Sequence, residues 1–205
     1  MRFIVPLIIR RIFPSLIWNF KNKTSDDTLH LTFDDGPTPE VTTWVLDCLK
    51  KSDVKATFFC LAKNVEQYPA IFNRIVAEGH SVGNHSYSHQ KGWGMSTGRY
   101  VADVDLADDF INSNLYRPPY GRITPRQAHR LSERYKLIMW DVLSCDYSGY
   151  CSSQRCLKNV LNGARNGSII VFHDSEKAFK NLSYALPRAI EELKSRGFKF
   201  EKIEL

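Results

Sequence analysis

The 205-residue chain has no apolar run approaching the ~18 residues that a membrane-crossing helix requires. It also lacks internal repeats, low-complexity tracts and a flexible linker, and its length fits one domain with a substantial core. Cysteine is sparse and odd in number: Cys48, Cys60, Cys145, Cys151 and Cys156. Their spacing is not that of a zinc knuckle and does not define a disulfide framework. Cys48 and Cys60 sit in apolar segments as small core residues, and a Cys151–Cys156 bridge has no support. Unpaired thiols favour a reducing compartment.

Net positive charge is nearly missing from most of the chain. The net charge is +6, but residues 1–23 carry +5 of it through Arg2, Arg10, Arg11, Lys21 and Lys23, with no acid among them. The remaining +1 excludes a broad basic stripe, so a nucleic-acid partner is not expected. The same basic segment is apolar and aromatic, from Phe3 to Phe20. As a signal peptide it fits poorly, because its apolar run is short, contains Pro6 and lacks a small-x-small cleavage site. It also suits a peripheral membrane contact, since basic and aromatic residues favour the headgroup region. The simplest expectation is a leader, residues 1–27, packed across the domain formed by residues 28–205. A cytoplasmic or membrane-peripheral monomer is expected ahead of a secreted protein.

Hydrophobic periodicity predicts alternating elements. Strands are expected at 28–33, 54–60, 81–84, 115–117, 137–143, 168–172 and 198–203. Helices are expected at 39–51, 65–78, 96–112, 124–135, 153–165 and 182–195, with Pro187 delaying the start of the last. This is a βα architecture with a parallel sheet. Short polar motifs follow five of the strands. An open sheet concentrates its site at one crevice, whereas a barrel lets many strand ends contribute, so a barrel is favoured.

The motifs have specific chemistry. Asp34-Asp35-Gly36-Pro37 ends the first strand. Asp-Gly-Pro is ordinary turn chemistry, but adjacent carboxylates at a strand end can divide labour, one binding a cation and the other accepting a proton. His85 and His89 are spaced to share one side of a helical turn and, with one carboxylate, would form a His₂Asp set with open positions. Arg117-Pro118-Pro119-Tyr120 places a guanidinium beside a rigid turn, where it could grip a carboxylate bidentately. The N–H groups after the prolines could face a developing oxyanion. His173 ends the sixth strand and, paired with a carboxylate, would be a suitable general acid. Each residue also has a plain structural reading, as a turn, loop or surface group. Trp93 is a packed loop aromatic or a platform for a sugar ring.

Taken in order, these motifs resemble the polysaccharide deacetylase family, the NodB-homology domain of the family-4 carbohydrate esterases, from about Leu29 to Leu205. The resemblance implies a distorted (β/α)₇ barrel in a single domain and metal-dependent removal of acetyl groups from a glycan. It implies that Asp35, His85 and His89 hold a divalent metal, most often zinc, with Co²⁺ or Ni²⁺ as alternatives. Asp34 would be the base, held by Arg117. The backbone N–H of Tyr120 would stabilise the oxyanion. His173, tethered by Asp146, would be the acid, and Tyr147 and Val171 would line the acetyl pocket. The chain departs from the commonest pattern at Tyr147, where tryptophan is usual, and at Val171, where leucine is usual. Both changes bear on groove shape and substrate. The alternatives are an O-acetyl esterase of the acetylxylan type and a non-catalytic glycan-binding module on the same fold.

Overall fold

A computed structural model of the chain describes residues 7–21 and 27–205. The strands, in chain order, are β1 (Leu16–Ile17), β2 (Thr28–Asp34), β3 (Thr57–Cys60), β4 (Ser81–Asn84), β5 (Leu115–Tyr116), β6 (Lys136–Ile138), β7 (Val142–Leu143), β8 (Ile169–His173) and β9 (Lys199–Phe200). The α-helices are α1 (Leu7–Ile12), α2 (Pro39–Lys51), α3 (Ala62–Gln67), α4 (Pro69–Ala77), α5 (Thr97–Leu106), α6 (Pro125–Ser132), α7 (Ser153–Gly163) and α8 (Glu176–Ser195).

All the strand pairings are parallel, and the sheet runs β1-β6-β5-β4-β3-β2-β8-β7, with β9 added to β2. β6 and β7 lie towards opposite ends of this path, yet only three residues separate them in the chain. One stretch, 136–143, therefore joins both margins and curls the sheet into the distorted barrel of the NodB type.

Alternation along each strand sends side chains to both faces of the sheet, and the buried hydrophobic residues form three clusters. Leu29, Leu31 and Phe33 of β2 pack outward with Val45, Leu182 and Leu186 of the surrounding helices. Phe59, Leu115, Ile138 and Ile169 fill the opposite face with Phe20 and Ile203. β2 is buried along its whole length, as expected of a parallel strand covered on both faces.

The described part of the leader joins this barrel. β1 pairs with β6, and Phe20 N donates to Gly167 O at 2.7 Å. Gly167 has φ +74°, and a Cβ there would meet the backbone of Lys21 at 2.3 Å, so only glycine accommodates the crossing. The expected membrane contact involves residues 1–23, of which 1–6, 22 and 23 lie outside the described residues. Among the described residues no helix is long and apolar enough to cross a membrane.

Several boundaries differ from the sequence expectation, each for a physical reason. The strand expected at 137–143 breaks at Met139–Asp141, where the chain passes from one margin of the sheet to the other. The helix expected at 65–78 divides at Tyr68, because Pro69 disfavours helical geometry before it and starts α4 instead. α8 begins at Glu176 and runs through Pro187. Pro187 costs about 3 kcal/mol in a helix interior, but burial of Ala178, Leu182, Ala185 and Leu186 ahead of it outweighs that penalty. α6 starts as expected: Thr124 and Gln127 form a reciprocal capping box and Pro125 occupies the first turn.

Candidate active site

The strand register sets the rim of the barrel. Asp34 pairs with His173 and with Phe59, Cys60 pairs with Asn84, and Asn84 pairs with Tyr116. The C-terminal ends of β2, β4, β5 and β8 are thus level, and the residues just beyond them meet in a cleft of about 440 Å³. Asp34, Asp35, His85, His89, Tyr120, Tyr147, Val171 and His173 line it, together with Trp140, Arg122 and Lys177.

Asp34 is held from behind. Arg117 is fully buried and its Nη1 donates to Asp34 Oδ1 at 2.6 Å. The same nitrogen reaches Thr32 Oγ1 at 2.7 Å, while Nε and Nη2 donate to Ile138 O and Met139 O. The guanidinium also lies 4.0 Å above the Phe59 ring. The expected bidentate grip is therefore not formed. The fork spreads over the barrel wall, engages one carboxylate oxygen, and leaves Asp34 Oδ2 with no protein donor among the described residues.

Asp35, His85 and His89 form one cluster, with potential ligand atoms all within 4.8 Å of one another. Asp35 Oδ1 lies 3.7 Å from His85 Nε2 and 3.1 Å from His89 Nε2, yet it is buried and accepts no hydrogen bond. His85 donates from Nδ1 to Arg117 O at 2.8 Å, which turns the bare Nε2 toward Asp35. Burial lowers the His85 pKa to about 4, so its ring is the neutral, ligating form. Burial alone would raise the Asp35 pKa, but His89, His173 and His85 together hold it below the usual carboxylate range. An ionised carboxylate with an orphaned oxygen and two imidazoles suit a divalent cation. The histidines do not share a helical turn as expected. They lie in a loop in which Ser86 N donates to Asn84 Oδ1 and His89 N donates to Ser86 Oγ, and this brings the rings to 5.2 Å.

His173 and Asp146 form the opposite wall. Asp146 is fully buried. Its Oδ1 accepts from His173 Nδ1 at 2.8 Å and from Ser144 Oγ, and its Oδ2 accepts from His173 N at 2.7 Å. Burial would lower the His173 pKa, but the Asp146 charge and hydrogen bond outweigh it and raise the value to about 9. Tyr147 packs edge-on against this ring at 4.8 Å. Across the cleft, Tyr120 packs against His89 at 4.5 Å. Pro118 and Pro119 have no N–H, and the N–H of Tyr120 donates to no acceptor among the described residues.

Strain gathers here. Asp35, Ser86, His89, Tyr120 and Cys145 all adopt positive φ, between 58° and 84°. Such conformations cost non-glycine residues about 1–3 kcal/mol each and persist only where surrounding contacts fix them. The contacts at Asp35 involve residues that sequence reasoning did not single out as site residues. Asn64 donates to Asp35 O at 2.8 Å, and Asp174 accepts from Gly36 N at 3.0 Å and from Thr42 Oγ1 at 2.6 Å. A Cβ on Gly36 would strike Asp174 at 1.9 Å. Burial raises the Asp174 pKa to about 7. Asp174 follows His173 directly, which was the available signal; Asn64 and Thr32 offered none. Trp93 stands outside the cleft lining, half exposed, with Arg122 over its ring at 5.2 Å. Asp141, at the head of the polar segment 141–147 that follows the fifth expected strand, lies away from the rim and accepts from Ile169 N where β8 begins. All five cysteines are free.

The Polysaccharide deacetylase family model matches residues 21–136, more than half of the chain. The chain belongs to the polysaccharide deacetylase family. This deacetylase-family chain is 36% identical over 178 residues to a peptidoglycan-N-acetylglucosamine deacetylase of Bacillus cereus, covering 83% of this chain and 64% of that protein. It is 35% identical over 180 residues to the peptidoglycan-N-acetylglucosamine deacetylase PgdA of Listeria monocytogenes, covering 85% of this chain and 37% of that one. It thus spans less than two thirds of either relative. Among solved structures, the Bc1960 peptidoglycan N-acetylglucosamine deacetylase, in complex with 4-naphthalen-1-yl-N-oxidanyl-benzamide, superposes with a TM-score of 0.88 at 30% identity, covering 97% of this chain and 95% of the other. The family match ends at residue 136, ahead of Asp146 and His173.

Proposed function

We propose that this chain is a hydrolase that removes acetyl groups from N-acetylated glycans of chitooligosaccharide- or peptidoglycan-like type. The observation that carries the reading is one cleft in which a clamped carboxylate, a cation-ready triad and a carboxylate-tethered histidine face a common space. Asp35, His85 and His89 would hold a divalent ion, zinc first. When bound, the ion supplies Lewis acidity, polarising the acetyl carbonyl and acidifying water toward neutral pH. Asp34 takes the proton of the attacking water on the oxygen that Arg117 leaves unused. The Tyr120 N–H donates to the oxygen that gains charge during attack. His173 Nε2 delivers a proton to the departing nitrogen, while Asp146 fixes Nδ1 and the ring plane. Val171 and Tyr147 border the acetyl group, and Trp93 offers a stacking face further along the glycan.

An amide is the substrate that most requires this arrangement, because an amine leaves only after protonation whereas an ester alkoxide needs less help. The complete set of acid, base and ligand groups also argues against a non-catalytic binding module. The test is acetate release from matched N- and O-acetylated oligosaccharides, with a chelator and Asp34→Asn as controls. Chelator-sensitive release from the N-acetylated substrate supports the proposal. Release only from O-acetylated substrates favours the esterase reading, and glycan affinity without release under any added metal favours the binding module.

A further inference from the structure

Two cations border the cleft, and no step of the proposed reaction uses them. Arg122 follows the Tyr120 turn on the side of the metal-ligand cluster, and Lys177 stands in the first turn of α8 on the side of His173. Both are exposed, and among the described residues neither is in an ion pair. This differs from Arg74, Arg117, Arg130, Arg134 and Arg196, which each pair with an acid. Each cation instead lies over an aromatic face. The Arg122 guanidinium is 5.2 Å from the Trp93 ring centre, and the Lys177 ammonium is 5.9 Å from that of Tyr147. Stacking of this kind orders a long side chain while leaving its charge available.

The acids of the cleft do not need these cations. Asp34 is paired with Arg117, Asp35 lies between the two imidazoles, and Asp146 is paired with His173. Glu176, the chain neighbour of Lys177, does not line the cleft. General basicity does not explain them either, because the net charge outside residues 1–23 is only +1. We infer that Arg122 and Lys177, with Trp93 and Tyr147, form two flanking subsites for an acetylated glycan that carries carboxylates. Each aromatic holds its cation at the cleft rim, and an anionic substituent of a flanking sugar meets that cation. The inference deepens the proposed function and rests on it. Carboxylates of that chemistry sit on the lactyl ethers of muramic acid or on peptides attached to them; plain N-acetylglucosamine polymers have none.

The test uses the full chain loaded with zinc and four substrates of equal length: a neutral N-acetylglucosamine oligomer, an alternating muramyl oligomer with free lactyl carboxylates, the same oligomer amidated, and one bearing peptide stems. Acetate release gives kcat/KM for the wild type and for Arg122→Gln, Lys177→Gln and the double variant. The wild type is expected to prefer the carboxylate form over the amidated form about tenfold, mainly through KM, and to lose that preference as salt rises. The double variant is expected to abolish the ratio. A preference confined to the peptide-bearing oligomer assigns the cations to peptide carboxylates, and one already present in the bare oligomer assigns them to lactyl groups. Equal rates on carboxylate and amidated oligomers, or a ratio the double variant leaves intact, overturn the inference while release from the neutral oligomer leaves the deacetylase reading standing. No acetate from any substrate overturns both.

Discussion

Replacing Asp146 by Asn keeps the shape of the residue and removes the charge that holds His173. In the metal-free chain His173 titrates at about 9 instead of 6.5, and that gap corresponds to about 3 kcal/mol. The sign follows from proton uptake. Between pH 6.5 and 9 the native state holds a proton on His173 that the unfolded state has released, so this stabilisation is complete below 6.5 and lost as pH rises through 9. In Asp146→Asn, burial acts on the imidazole with only the more distant charges of Asp35 and Asp34 opposing it, and its pKa falls. Denaturant titrations of the chelated protein across pH 6 to 10, with wild type and variant side by side, measure the effect. Asp174, His80 and His30 contribute equally to both proteins, so the difference isolates His173. The variant is expected to be less stable by about 3 kcal/mol at pH 6.5, with the deficit shrinking steadily by pH 10. A deficit that does not change with pH would refute the coupling.

The other expectations concern single groups. Asp34→Asn is expected to retain its metal, measured by elemental analysis, and to lose about 10²–10⁴ in kcat as the proton acceptor disappears. His85→Ala is expected to reduce bound divalent ion to well below one equivalent, since it removes one of three ligands; calorimetric titration with zinc checks this. His173→Ala is expected to slow acetamide substrates by a larger factor than acetate esters with good leaving groups, measured as the ratio of kcat/KM. Asp174→Ala leaves the Gly36 N–H and the Thr42 hydroxyl without their acceptor, at about 1–3 kcal/mol each. It is expected to lower the melting temperature and weaken zinc binding together, because the Asp35 backbone loses its support.

What could be read from the sequence was what repeats or stands alone. Leu29, Leu31 and Phe33 announced a buried strand by period two, and Thr124-Pro125 announced a helix start, because both signals are local. The candidate ligand and acid–base residues could be singled out because each lies at or just past a strand end. Their supports could not, since a hydrogen bond from Asn64 to Asp35 or from Gly36 to Asp174 joins positions that no local pattern connects. The conformation between His85 and His89 was misread for a related reason. A four-residue spacing suits a helix, but the loop reaches the same proximity through positive φ at Ser86 and His89, fixed by side-chain hydrogen bonds. The course of α8 through Pro187 shows packing overriding a strong local preference.

The seam at 136–143 has a consequence for assembly. Arg117 reaches across to the carbonyls of Ile138 and Met139 there, and Asp146 lies just past its far end. The groups that hold the proposed base and acid, Arg117 and Asp146, thus lie on parts of the sheet joined through a single stretch of chain, and joining distant parallel strands is slow. A folding intermediate with every other strand in place would be well ordered and chemically inert. Regain of acetate release during refolding should lag behind regain of secondary structure, so turnover would time the docking of this stretch.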